Sequence, residues 1–302
     1  MLERISARVA APAHLSLVER EEGRKNMGSV RPTGNRQPAI VVGVDFSPQS
    51  RRALDRAIDV ARARHARLHL LHVTSEAESV REAMAALDAE IRASGIPTSL
   101  DVSGGSLPHA MQRTARALDA ELVVVGARGR VLPDAILGSS GERIASVVRR
   151  PVLVVRRAMT RSYTRVVMAI DRGSDLKRMA AAARSVAPGV RPTLLHAYEG
   201  PFESAMRLDG TAPPEMRFYR SRVREEVRGA LVGAIVEAGL DPRSLVLRHG
   251  GPWRVLELED EENRDRDTLF VLAPRRSVVR HLVFGSVTRW MLARGRSDVL
   301  LV

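Results

Sequence analysis

The sequence predicts two tandem, doubly wound α/β domains. Each is a parallel five-stranded sheet covered by helices, and the two pack together as an internal pseudo-dimer. Three observations predict this. Short apolar runs alternate with stretches of helical period from residue 38 onward. The same series of runs then recurs in the same order. A glycine-containing segment follows the fourth run of the first series. Continuous apolar runs of four to seven residues between helices belong to parallel strands buried on both faces.

The first series opens with "AIVVGVD" (39–45), read as a buried strand. "SPQSRRALDRAIDVARARHA" (47–66) follows, with Leu54, Ile58 and Ala61 at helical spacing. Ser47 suits an N-cap, and Pro48 suits the first turn, where no N–H is needed. "RLHLLHV" (67–73) is the second strand, and residues 75–95 form a helix closed by Gly95. "TSLDV" (98–102) is the third strand, 106–119 a helix, and "ELVVVG" (121–126) the fourth strand. Residues 139–149 form a helix, and "PVLVV" (151–155) ends the series as the fifth strand.

The second series echoes the first. "RVVMAID" (165–171) matches "AIVVGVD", "TLLHAY" matches "HLLHV", and "HGGPW" matches "SGGSLP". "TLFVLA" (268–273) matches "ELVVVG", "FGSVTRW" matches "LGSSGER", and "DVLLV" (298–302) matches "PVLVV". Six echoes in order mark a tandem duplication, with domains at 37–158 and 163–302. About twenty additional residues between Tyr198 and Glu225 read as a longer loop. Residues 1–36 read as a flexible tail, with Met27 as an alternative start and no apolar core of a signal peptide.

Composition narrows the function. The chain has 302 residues, no cysteine and a formal charge of +13, almost all of it from arginine. Without cysteine there are no disulfides and no thiolate metal sites, which fits a cytoplasmic protein. No apolar run has the length of a membrane span. The excess charge is spread as +3 over 1–36, +4 over 37–158 and +6 over 159–302. Aromatics are 3% of the chain, so the stripe of positive charge with stacking rings that marks a nucleic-acid surface is missing. The eight histidines show no metal spacing. No Ser-His-Asp set or carboxylate pair stands at a catalytic spacing, so the chain does not read as an enzyme. "ELEDEENRDRD" (257–267) reads as a solvated helix end and turn. His72 and His196 read as packing residues.

The residues Asp45, Gly126, Gly129, Gly138-Ser139 and Pro151–Val155 together resemble the universal stress protein family. Its pattern is an Asp ending the first strand, Gly-x2-Gly-x9-Gly-Ser/Thr after the fourth, and a final Pro-Val-Leu-Val-Val strand. The second series offers Asp171, Gly285-Ser286 and Asp298–Val302. The resemblance covers about residues 38–302. Two departures stand out. Eight residues rather than nine separate Gly129 from Gly138, a difference of up to about 3.5 Å of reach. In the second copy Ala273 and Arg276 stand where the first two glycines would be. The resemblance implies a Rossmann-like fold of the adenine nucleotide alpha hydrolase type, with strand order 3-2-1-4-5. It also implies a regulatory or adaptor protein with undefined protein partners, in a family with both ATP-binding members and members that have lost the loop.

That strand order puts the reversal between the first and fourth strands, where ligands of open sheets sit. Asp45 and Gly126 end those strands, so they should share a crevice. Gly126 and Gly129 can bring N–H groups close to phosphate oxygens. Gly138, Ser139 and Ser140 open a helix whose N-terminus favours an anion. Arg128 supplies positive charge, Asp45 can accept from sugar hydroxyls or an amine, and Val73 and Val125 can line a base. Asp171, Gly285 and Ser286 are their counterparts in the second copy, which reads as the weaker site. The expected ligand is ATP or ADP, without a metal. Two structural readings stay open beside this one: Asp45 as a partner of the next helix start, and Gly138 as a packing glycine. A scaffold with a vestigial loop and a slow nucleotide hydrolase are the alternative functions, and association of two such chains is the alternative to a monomer.

Overall fold

The computed structural model describes residues 37–127, 140–273 and 285–302. The tail read at 1–36, and Arg128, Gly129, Gly138, Ser139 and Arg276, lie outside them.

The described residues within 37–302 form one compact unit around a ten-stranded sheet. In the first half the strands are β1 (Ala39–Gly43), β2 (Arg67–Val73), β3 (Thr98–Ser103), β4 (Leu122–Gly126) and β5 (Val152–Val155). The helices α1 (Pro48–Arg64), α2 (Ala77–Ala93), α3 (Leu107–Ala117) and α4 (Ser140–Val148) alternate with them. The second half opens with β6 (Arg165–Ala169), α5 (Leu176–Val186) and β7 (Pro192–Tyr198), followed by α6 (Glu203–Leu208) and α7 (Pro213–Glu237). It closes with β8 (Leu245–His249), α8 (Pro252–Glu262), β9 (Thr268–Leu272), α9 (Ser286–Arg294) and β10 (Asp298–Leu301). The sheet runs β3-β2-β1-β4-β5-β10-β9-β6-β7-β8, so each half has order 3-2-1-4-5.

The halves join through their last strands. β5 and β10 pair antiparallel, with Val154 opposite Val299 and Leu153 opposite Leu300, whereas the other described pairs in the sheet are parallel. Both strands are fully buried. Each half would otherwise end in an apolar edge with unpaired N–H and C=O groups, and pairing the two edges removes both exposures at once. Helices cover each face, so the strands can be apolar on both sides.

The local signals act where the sequence places them. The Ser47 hydroxyl accepts from the Ser50 N–H at 3.1 Å and caps α1, with Pro48 in the first turn. A Cβ on Gly141 would lie 2.6 Å from the Val154 side chain, so this glycine is what lets α4 lie close on the sheet.

Two readings are corrected. The segment after Tyr198 is helical rather than a long loop, since it forms α6 and α7. Pro213 and Pro214 read as a loop signal in the sequence, yet proline is at home in a first helical turn. The acidic run 257–267 is not wholly solvated. Glu259, Asp260 and Asp267 are buried, because each has partners elsewhere in the fold. Asp260 accepts from the Arg296 and Ser297 N–H groups at 2.7 and 3.1 Å, and Glu259 lies 2.8 Å from Arg165. Asp267 accepts from Arg56 at 3.2 Å and from the Thr160 hydroxyl at 2.6 Å.

Candidate functional site

The reversal of strand order in the first half opens a cleft of about 500 Å³ beyond the ends of β1 and β4. Asp45, Val73, Val125 and Gly126 all line it. Gly43, Val44, Ser47, Gln49, Ser50, Gly105, Leu107 and Ile144 complete the described wall. Three helices, α1, α3 and α4, begin at this rim, because every helix that follows a strand in such a sheet starts at its carboxyl edge. The cap and first turn of α1 (Ser47, Gln49, Ser50), the first residue of α3 (Leu107) and Ile144 of α4 line the cleft. Ser140 heads α4.

Asp45 is tied to the start of α1. Its Oδ1 accepts from the Ser47 N–H at 3.0 Å and from the Ser47 hydroxyl at 2.5 Å. Asp45 thus shapes the entry to α1 and stands on the cleft wall. It is the one charged side chain among the described lining residues.

Gly126 has a role that its spacing did not reveal. A Cβ there would lie 2.6 Å from the Gln49 carbonyl oxygen and 3.0 Å from the Ser50 nitrogen. The close approach of the first turn of α1 leaves no room for a Cβ at this position, which also lines the cleft. This packing narrows the cleft between β4 and α1. Gln49 and Ser50 gave no sequence signal as lining residues, because their place depends on that approach.

His72 stands one residue before the end of β2. Its Nδ1 stands 2.7 Å from the Val44 carbonyl oxygen, which can only accept, so Nδ1 carries the proton. His196 makes the same bond to the Ile170 carbonyl oxygen at 2.7 Å. The two histidines thus hold the ends of β1 and β6 in the same way in both halves.

The second half has its own cleft, of about 400 Å³. Asp171, Gly285 and Ser286 line it, with His196, Ser174 and Thr288. Asp171 Oδ1 accepts from the Gly173 N–H at 2.9 Å and the Ser174 hydroxyl at 3.1 Å. Gly285 is the N-cap of α9 and supplies no capping side chain, and its missing Cβ faces open space. The wall is mostly apolar, with Val255, Leu256, Leu272, Ala273 and Val287. Ala273 stands in register where Gly126 stands in the first half. The loop from Asp171 to the N-cap Asp175 is two residues longer than that from Asp45 to Ser47, so α5 starts farther along the chain and the glycine is dispensable.

Elsewhere in the second half, α6 is clamped to the end of β8. Glu203 is buried and accepts from the Gly200 N–H at 2.9 Å, from Arg220 at 2.9 Å and from His249 at 2.8 Å. Burial pushes its pKa up, but these hydrogen bonds outweigh burial and hold it at about 2. Among the described residues, no cluster of His, Asp and Glu is suited to hold a metal ion, and no helix is long and apolar enough to cross a membrane.

Residues 38–156 match the Universal stress protein family. Universal stress protein YxiE of Bacillus subtilis (strain 168) is 28% identical, over 39% of this chain and 97% of its own length. Among solved structures, a functionally unknown protein from Pseudomonas aeruginosa PAO1 superposes with a TM-score of 0.62 at 20% identity, covering 88% of this chain and 92% of its own. A universal stress protein from Archaeoglobus fulgidus DSM 4304 superposes at 0.61 and 18% identity, covering 87% of this chain and 95% of its own. These structural likenesses extend the shared fold across both halves.

Proposed function

We propose that this chain, whose residues 38–156 are a universal stress protein domain, is a cytoplasmic regulatory module that binds an adenine nucleotide in its first cleft. One observation carries the reading: Asp45 and the apolar walls Val73 and Val125 meet at the strand-order reversal, beside the first turn of α1. The residues fit such a ligand. Val73 and Val125 offer apolar faces to a base, Asp45 accepts from hydroxyls or an exocyclic amine, and the start of α4 offers N–H groups to phosphate. ATP or ADP is the ligand class, and no metal is needed by the described wall.

The module is a binder rather than an enzyme. In this reading Asp45 serves ligand recognition and the shape of the α1 entry. A scaffold reading is favoured by one feature, the exposed Phe202, Leu208 and Phe218 on and around α6 and α7, which suit a protein partner. The second cleft is the weaker nucleotide site, since its wall is mostly apolar. Titration calorimetry tests the reading: ATP should bind with a stoichiometry of one per chain, and Asp45→Ala should weaken it. Absence of heat and of thermal stabilisation at saturating ATP would reject nucleotide binding, and two equivalent sites would reject the difference between the halves.

A further inference from the structure

The halves differ in the link between their second and third strands. In the first half it is one helix, α2, whereas in the second it is α6 followed by the 25-residue α7. The end of α7 joins the core through Val227, Leu231 and Ile235, but none of residues 213–222 belongs to that core. Those first turns are locked to α6 instead. The Tyr219 hydroxyl accepts from the Phe202 N–H at 3.2 Å, and Arg220 donates to the buried Glu203 at 2.9 Å. The hairpin so held carries the three most exposed large apolar side chains among the described residues: Leu208 at 89%, Phe218 at 68% and Phe202 at 65%. Apolar surface gathered on an element that the core does not use marks a contact with something else.

Between the two helices runs a shallow groove of about 470 Å³, lined by Met206, Pro214, Glu215, Phe218, Tyr219 and Arg222. Glu215, Phe218 and Arg222 follow one another at spacings of four residues or fewer, so they form one stripe along α7. Glu215 and Arg222 are exposed, and neither makes an ion pair or hydrogen bond among the described residues. They stand about two turns apart, roughly 10 Å along the helix axis.

An acid at one end of the stripe, a base at the other and a ring midway make a self-complementary pattern. The midpoint of positions 215 and 222 falls between Phe218 and Tyr219. Two copies of α7 laid antiparallel about a two-fold axis at that point set Glu215 of each against Arg222 of the other, with the Phe218 rings between the two pairs. A slip of one turn toward the C-terminus would set Glu215 against Glu225 and Glu226, so like charges oppose it. We propose that this face is a homodimer interface, and that its occupant is a second copy of the chain docked two-fold on α7. An anionic bilayer matches it less well, because Glu215 stands inside the apolar stripe. The dimer goes beyond the nucleotide reading and stands without it. The patch is small, so association is weak and depends on concentration.

Sedimentation velocity of the full chain, without nucleotide, tests the proposal from about 1 to about 500 µM. The wild-type chain should pass from monomer to dimer over that range. Phe218→Ala, Glu215→Arg and Arg222→Glu should each weaken the dimer by about tenfold. All three positions are exposed, so the variants keep the fold, as thermal melting would verify. The double exchange Glu215→Arg with Arg222→Glu restores both pairs with their signs reversed and should recover the wild-type dimer. A partner of any other kind would be lost by that double exchange rather than recovered. A wild-type chain that stays monomeric throughout overturns the proposal. If that monomer sediments with phosphatidylserine vesicles and Phe218→Ala does not, the face meets a membrane instead. A dimer that ignores Phe218→Ala, or that the double exchange fails to restore, also overturns it, since the contact then lies elsewhere or in another register.

Discussion

The guanidinium of Arg56, on α1 in the first half, lies 3.9 Å from the centre of the Tyr163 ring, which precedes β6. Both side chains are buried. The Tyr163 hydroxyl donates to Asp298 Oδ2 at 2.7 Å, and Arg56 lies 3.6 Å from that same oxygen. Asp298 Oδ1 accepts from the Arg156 and Arg157 N–H groups at 2.7 and 3.1 Å. Arg56 also reaches Asp267 at 3.2 Å and the Arg161 carbonyl oxygen at 2.9 Å. One buried cation thus ties α1, the connection between the halves and the start of β10. Burial first, and then the Asp298 charge, raise the Tyr163 pKa well above that of a free tyrosine.

Arg56→Ala should be strongly destabilising, by about 3–5 kcal/mol, because it leaves Asp267 and Asp298 buried without their cation. Tyr163→Phe should cost less, about 1–3 kcal/mol, since it removes one hydrogen bond to a charged group. Urea unfolding of both variants reads the order. Equal stability of Arg56→Ala and wild type would mean that the carboxylates find other partners.

Gly126→Ala should destabilise by about 1–3 kcal/mol, because the new methyl meets the backbone of Gln49 and Ser50, which cannot swing away as a side chain would. Gly285→Ala places its methyl in open space, so it should cost less than about 1 kcal/mol, the loss of a tolerated N-cap residue. Thermal melting of the two variants side by side checks the difference. A Gly126→Ala protein as stable as wild type would show that α1 can move off the end of β4.

Deleting residues 298–302 removes β10 and leaves the apolar edge of β5 unpaired. The truncated chain should aggregate, or dimerise through that edge, as light scattering would report. Val299→Asp attacks the same seam without shortening the chain and should act in the same direction. A truncated chain that stays monomeric and folded would mean that the β5 edge is covered in some other way.

Acid should loosen the clamp at Glu203. Its folded pKa, about 2, lies below the ordinary carboxylate value of 4.5. The ionised form is therefore favoured by folding. The stabilisation is fully present above about pH 4.5 and is lost as pH falls toward 2, as the folded carboxylate takes up its proton. The loss is on the order of 2 kcal/mol. Glu203→Gln should be less stable at neutral pH and show a shallower decline over that window. Stability measured from pH 7 to pH 2 by urea unfolding checks both, and parallel wild-type and variant curves would place the acid sensitivity elsewhere.

The fold and its duplication are legible in the amino-acid order alone. The strands show as runs such as "LVVVG" (122–126) and "TLFVL" (268–272), because a strand buried on both faces must be apolar along its length. Ser47 and Pro48 mark the start of α1 because capping is settled within one helical turn. Asp45, Val73, Val125 and Gly126 were legible as neighbours because the ends of adjacent parallel strands meet at one edge of the sheet.

Other features arise only when distant parts of the chain meet. The acidic run 257–267 looks solvated by composition, yet Glu259, Asp260 and Asp267 are buried against partners far away in sequence. The sequence marks Gly126 by its motif, but that the backbone of α1 fills the space where its Cβ would stand is decided only by packing. Phe46 has no period or motif to mark it, and its left-handed backbone and half-exposed ring exist only once β1, α1 and His72 are in place. Periodicity reports which side of an element faces the core. It carries no record of which charge, methyl or ring stands opposite once two halves close on each other, since that is fixed by the packing of both.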